Sequence, residues 1–109
     1  SFNTTSVNNL LESIRLFSKD TKLYQASSSE MYGKVNTMPI KLETPMNPIS
    51  PYGVSKMAAY FMVSTYRTSY DIFASNGILF NHESFLRSNG FFVKKVNKIN
   101  IFCIFINFI

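Results

Sequence analysis

Ser50-Pro51-Tyr52-Gly53-Val54-Ser55-Lys56 is the stretch on which the reading of this chain turns. It holds a tyrosine and a lysine four residues apart, and on a helix both side chains leave the same face, one turn apart. A free phenol ionises near pH 10, too high for a base at neutral pH, and a fixed ammonium beside it favours the phenolate, the form that accepts a proton. Ser50 suits a helix cap and Pro51 the first helical position. Val54, Met57, Ala58, Phe61, Met62 and Thr65 recur at helical spacing and predict one mostly apolar stripe. The same spacing also fits a surface Tyr and Lys on an ordinary amphipathic helix, so the flanking chain has to decide between the two.

Working outward, the chain has 109 residues, enough for one small domain with a modest core. Hydrophobic residues make up 46% and charged residues 16%, a globular rather than a disordered composition. The first residue is Ser1, and no charged-then-apolar leader pattern follows it, which predicts an internal piece of a longer protein. No apolar run is long enough to span a bilayer, so no membrane is expected, and cytoplasm is the default compartment. Cys103 stands alone, which excludes an internal disulfide and argues against a metal cluster. The net charge of +5 invites a nucleic-acid reading, but it falls to +2 once Lys94, Lys95 and Lys98 of the acid-free terminus are set aside. No basic stripe interleaved with aromatics is present, and no nucleic-acid partner is expected.

Taken in order, Val7, Leu10, Leu11, Ile14 and Phe17 predict a helix over 4–18, with Thr4 or Thr5 able to cap it. A short polar turn follows, then a strand over 22–27 that ends in Ser27-Ser28-Ser29-Glu30. Helix, turn and strand in succession suggest an α/β layer. In open α/β sheets ligands bind beyond the carboxyl ends of the strands, which makes Ser28 and Glu30 site candidates. Residues 31–50 read as a loop punctuated by Gly33, Pro39, Pro45 and Pro48, long enough to suggest function. The Tyr52/Lys56 helix then runs to about Tyr70. Residues 71–80 read as a second, buried parallel strand, and Asn81-His82-Glu83-Ser84 ends it in a further polar cluster. From about residue 94 the composition collapses to Asn, Lys, Ile and Phe, all encodable by codons rich in adenine and thymine. Residues 94–109 are therefore expected to be an anomalous tail outside the native coding sequence, with a hydrophobic strand as the alternative.

Three linked segments carry a resemblance. Tyr24-Gln25-Ala26-Ser27-Ser28-Ser29-Glu30-Met31-Tyr32-Gly33, then Ser50 to Lys56, then Asn76-Gly77-Ile78-Leu79-Phe80-Asn81-His82-Glu83-Ser84 resemble the GDP-mannose 4,6-dehydratase family of extended short-chain dehydrogenases/reductases. The resemblance covers roughly residues 5–95. It implies that residues 1–93 are the central part of a Rossmann domain, a doubly wound parallel sheet lacking its first strands and the substrate domain. It implies a lyase that converts GDP-mannose to GDP-4-dehydro-6-deoxy-D-mannose and water, on the way to GDP-fucose, with bound NADP moving a hydride from C4 to C6. Tyr52 would take the 4-hydroxyl proton, and Lys56 would favour its phenolate and bond the nicotinamide ribose. Glu30 would remove the C5 proton and help water leave from C6. Ser28 stands at the family's active-site threonine and would bond the 4-oxygen, without the methyl group that fixes the threonine rotamer. His82 and Arg87 match cofactor-contacting positions, and Asn81 would touch substrate. A homo-oligomer is expected for the full-length protein.

Departures from the pattern are specific. Phe85-Leu86-Arg87 keeps one arginine where the family has a pair after a proline, and Ser88 to Val93 carries one extra residue. The Gly-rich pyrophosphate turn that belongs on the first strand is not in this chain. A related dehydratase acting on another sugar nucleotide, a sugar-nucleotide epimerase, and a truncated non-catalytic remnant stay open; an epimerase has no need of the base at Glu30.

Overall fold

The computed structural model describes residues 2–80 and 106–108. The order of elements is helix α1 (Phe2–Phe17), strand β1 (Leu23–Ser28), a 3-10 turn (Ser29–Met31), helix α2 (Pro51–Tyr70), strand β2 (Ala74–Leu79) and strand β3 (Ile106–Phe108). β1 and β2 pair in parallel, in register from Leu23 opposite Ala74 to Ser28 opposite Leu79. Parallel neighbours need a crossover, and α2 supplies it, giving a β-α-β unit. β3 adds antiparallel to β2, so the sheet order is β1-β2-β3. Among the described residues nothing pairs with the outer edge of β1.

The α1 stripe is buried as its spacing requires at Val7, Leu11 and Ile14, while Leu10 and Phe17 stay exposed. Those three residues pack with Ala59 and Val63 of α2 and with Ile72 and Ala74, and Leu23, Met62 and Tyr66 close the cluster. Thr4 and Thr5 lie inside α1 rather than at its cap, and the Thr4 hydroxyl instead donates to the Ser55 carbonyl of α2 at 3.4 Å.

α2 differs from its sequence reading. Its buried positions are Gly53, Ser55, Ala59 and Val63, whereas Val54 and Phe61 face outward. The small residues take the closest positions because they let the helix backbone approach its neighbours, while Met57 and Met62 of the predicted stripe still pack partly buried against the two apolar clusters. Asp71, at φ 52°, closes the helix in the left-handed conformation, so residues 71–73 form the connection and β2 begins only at Ala74. Ile72 is nonetheless buried, and the Phe73 carbonyl accepts from the Leu23 N–H at 2.9 Å.

The long loop is tied down. The Lys34 N–H donates to the Asn47 carbonyl, the Asn47 N–H to the Tyr32 carbonyl, and the Asn47 side chain to the Lys34 carbonyl, each at 3.2 Å. Gly33 sits at φ +52°, and a Cβ there would lie 2.0 Å from the Asn47 carbonyl oxygen, so glycine is required twice over. A second apolar cluster, Met31, Tyr32 and Ile78 with Val35, Ile40, Met46, Met57, Tyr60 and Phe80, roots this loop on α2 and the end of β2. In the terminal stretch, where the sequence predicted no regular element beyond a possible strand, residues 106–108 form β3.

Candidate active site

The site is assembled at the carboxyl ends of β1 and β2. β1 stops at Ser28, whose backbone is still extended (φ −140°, ψ 146°) and whose Oγ accepts from the Glu30 N–H at 3.2 Å. That bond caps the 3-10 turn and fixes the serine rotamer, with the hydroxyl proton left over for another acceptor. Glu30 stands exposed on the turn, and Ser28 is half-buried.

α2 arrives at the same rim with its first turn held at several points. The Ser50 Oγ accepts from the Gly53 N–H at 3.0 Å, and Pro51 opens the helix. The Ser55 Oγ donates to the Tyr52 carbonyl at 2.8 Å. Gly53 is where the two segments meet: a Cβ there would come within 2.6 Å of the Glu30 carbonyl oxygen and 3.1 Å of the Pro48 Cβ. No other residue lets the start of α2 rest on the Glu30 backbone, so Gly53 brings Tyr52 next to the turn that carries Glu30.

Tyr52 is half-exposed at 49%. The Lys56 Nζ lies 5.7 Å from the centre of its ring and donates to the Ala26 carbonyl of β1 at 3.0 Å. An ammonium carries three N–H donors, and this contact uses one. The other two are chemically suited to a hydroxyl-bearing ligand such as a ribose. The structure thus brings Ser28, Glu30, Tyr52 and Lys56 to one rim. Asn81, His82 and Arg87 lie outside the described residues.

Two residues that the motif reading did not assign join the support of this rim. Asn76 in the middle of β2 is 1% exposed. Its Oδ1 accepts from the Ser27 Oγ at 3.3 Å, and its Nδ2 donates to the Tyr60 carbonyl at 3.2 Å and to the Ser64 Oγ at 3.4 Å. The available signal was a polar residue at a strand position whose parity, shared with Ala74 and Ile78, faces the helices.

On the outer face of α1 and α2, Arg15 holds Glu12 at 2.8 Å and the Tyr66 hydroxyl donates to the same carboxylate. The Arg15 guanidinium, first, and then Tyr66 lower the Glu12 pKa from 4.5 to about 2, and the Glu12 bond pushes the Tyr66 phenol up. Burial raises the Tyr32 phenol beneath the loop. Among the described residues no group of three His, Cys, Asp or Glu side chains could hold a metal, and no helix is long and apolar enough to cross a membrane.

Solved structures share this arrangement. dTDP-glucose 4,6-dehydratase from Bacillus anthracis, solved in complex with NAD, superposes with a TM-score of 0.77 at 26% identity, over 85% of this chain and 30% of that one. UDP-glucose 4-epimerase from Brucella ovis, also with NAD, gives 0.69 at 30% identity, over 74% and 25%. Parallel strands, a helical crossover and a Tyr-Lys helix opening on the strand ends define the class: a segment of a Rossmann-type domain. Residues 1–101 match the family model for GDP-mannose 4,6 dehydratase, and the chain belongs to that family. It is 54% identical over 91 residues to GDP-mannose 4,6-dehydratase of Vibrio cholerae, covering 82% of this chain and 24% of the relative. It is 52% identical over 77 residues to GDP-mannose 4,6 dehydratase of Homo sapiens, covering 71% and 21%. The chain therefore spans about a quarter of the length of the curated relatives it matches.

Proposed function

We propose that this chain is the catalytic segment of a GDP-mannose 4,6-dehydratase, which converts GDP-mannose to GDP-4-dehydro-6-deoxy-D-mannose and water. We assign NADP as cofactor, a role in the supply of GDP-fucose, a cytoplasmic location and a homo-oligomeric full-length protein. The observation that supports the reading is the seating of Gly53 on the Glu30 carbonyl, which brings the start of the Tyr52–Lys56 helix against the backbone of the turn that carries Glu30. Family membership and the NAD-bound structural neighbours support the substrate and the nicotinamide cofactor.

Each residue has a task suited to its chemistry. Tyr52 takes the proton of the 4-hydroxyl while the Ser28 hydroxyl donates to the 4-oxygen. When bound, the nicotinamide supplies the acceptor for the C4 hydride and its return at C6. Lys56, tethered to Ala26, presents its remaining N–H donors to the ribose and its charge to the phenol. A ketone at C4 makes the C5 proton acidic, and Glu30 removes it as hydroxide leaves C6 with a proton as water. A proton then returns to C5, so the sum is loss of one water. Asn81, His82 and Arg87 would contact substrate and cofactor from beyond β2. The pyrophosphate turn is not among these residues, so the isolated 109-residue chain is expected to give no turnover; GDP-mannose dehydration by the purified chain would overturn that expectation. We also propose a boundary near residue 93, with 94–109 outside native coding sequence, which a transcript continuing in the same frame across that point would refute.

The test is Glu30→Gln in a chimaera whose framework is the Vibrio cholerae relative and whose central segment is this chain. Dehydration should be lost while the 340 nm absorbance of reduced cofactor still appears on adding GDP-mannose. Persisting dehydration would remove Glu30 from its role, and a parent chimaera that acts as an epimerase would replace the reading.

A further inference from the structure

We infer that Asn76, working with Ser27, is a positioning residue for the proposed reaction: its carboxamide ties α2 to the strand that delivers Ser28, and thereby sets Tyr52 and Lys56 against Ser28 and Glu30. The inference rests on the dehydratase reading above for its effect on rate, while the tie itself stands on the geometry.

Asn76 occupies a place where an apolar side chain would complete the core. It lies between Ala74 and Ile78 on the helix-facing side of β2, and all three are buried. A buried carboxamide persists only when its donors and acceptor are met, and here the partners are distributed across two elements, β1 and α2. The Tyr60 carbonyl can only accept, so the amide nitrogen must face it. The oxygen is then turned toward the Ser27 hydroxyl, which donates at 3.3 Å. The Ser64 hydroxyl, itself donating to the Tyr60 carbonyl at 3.1 Å, takes a longer 3.4 Å contact from the same amide.

What the tie holds follows from where its ends sit. Tyr60 is one helical turn beyond Lys56 and on the same face. Three consecutive residues of β1 each anchor part of the site: the Ala26 carbonyl receives Lys56, Ser27 reaches Asn76, and Ser28 caps the turn that bears Glu30. α2 is therefore joined to β1 twice, directly at Lys56 and through Asn76 at Tyr60. A helix held at two successive turns cannot slide or rotate against the strand, and reacting groups misplaced by about 1 Å lose on the order of a hundredfold in rate.

The test uses the same chimaera with Asn76→Leu, of similar bulk but without polar atoms, and with Ser27→Ala, which removes one hydroxyl. For Asn76→Leu the expected result is kcat lower by about tenfold or more, with KM within about twofold. Amide exchange should quicken along residues 52–64 of α2 while α1 keeps its protection. Ser27→Ala should lower kcat by about threefold, and it decides the matter if Asn76→Leu does not fold. Wild-type kcat in the variants would overturn the inference. So would an Asn76→Leu loss matched by faster exchange throughout α1, which is general destabilisation. Should the parent chimaera not turn over GDP-mannose, the dehydratase reading fails separately. The exchange data then decide the tie, and unchanged protection over 52–64 refutes it.

Discussion

The two apolar clusters of this chain do different work. The lower one, centred on Val7, Leu11, Ile14, Ala59, Val63 and Ala74, fastens two helices to the start of the strands with side chains at regular helical spacing. The upper one, centred on Met31, Tyr32 and Ile78, roots an irregular loop beside the candidate rim. Regular spacing gives the first cluster bulk; the second depends on glycines at close contacts, on a capped 3-10 turn and on a buried carboxamide. A core made by packing tolerates relaxation, whereas a rim in which an added Cβ at Gly53 would come within 2.6 Å of the Glu30 carbonyl oxygen does not. Stability and activity should therefore separate by region under mutation.

The sharpest way to break that contrast is Leu11→Ala. Leu11 is fully buried in the lower cluster, and its truncation should cost about 2–5 kcal/mol of unfolding free energy. Denaturant melts of the chimaera would read it, with kcat per folded molecule unchanged. A large fall in kcat at preserved stability would mean that the two regions are not separate.

Gly53→Ala probes the other side. An exposed helical Gly→Ala change ordinarily gains about 1 kcal/mol. Here the added Cβ would meet the Glu30 carbonyl at 2.6 Å, so a loss of about 1–3 kcal/mol is expected, with turnover down by tenfold or more. A gain in stability with full activity would show that α2 does not rest on the Glu30 turn.

Acid titration sharpens the lower region. Glu12 has its pKa lowered from 4.5 to about 2 in the folded chain, so its stabilising contribution is complete above about 4.5 and disappears as pH falls toward 2. Thermal melts between pH 6 and 2 should fall more steeply for the parent than for Glu12→Gln. Because the pair is at the surface, the effect should be small. Parallel curves would remove Glu12 from the account.

The smallest effect is expected for Ser28→Thr. Serine lacks the methyl that fixes the threonine rotamer, but the Glu30 N–H already holds the serine oxygen at 3.2 Å. Turnover should change by less than about threefold; a tenfold rise would show that the cap bond does not fix the rotamer.

The course of the fold was readable because α1 carries its apolar residues at spacings of three and four, and because the ends of the elements hold Ser50, Pro51 and turn residues. The face of α2 was not readable in the same way. Of its predicted stripe Val54, Phe61 and Thr65 are outside while Met57, Ala58 and Met62 are partly buried, and the innermost positions go to small residues and Val63, since closeness of approach as well as apolar area sets that contact. Asp71 ended the helix in a conformation that periodicity does not signal, and it shortened β2 to Ala74–Leu79. At the site, Tyr52, Lys56, Ser28 and Glu30 were legible as motif residues, but the contacts joining them run through backbone atoms of Ala26 and Glu30. Backbone partners leave no mark in side-chain spacing. Asn76 was visible only as a polar letter at a buried parity, a signal that does not name its partners.

Whether Tyr52, Lys56, Glu30 and Ser28 act as one dehydratase site is decided by following a single atom. GDP-mannose labelled with deuterium at C4 would be given to the chimaera and the product examined by NMR and mass spectrometry. The account expects the label at C6 of GDP-4-dehydro-6-deoxy-D-mannose, and no product from Tyr52→Phe. Label left at C4, label lost to solvent, or equal turnover by Tyr52→Phe would contradict it.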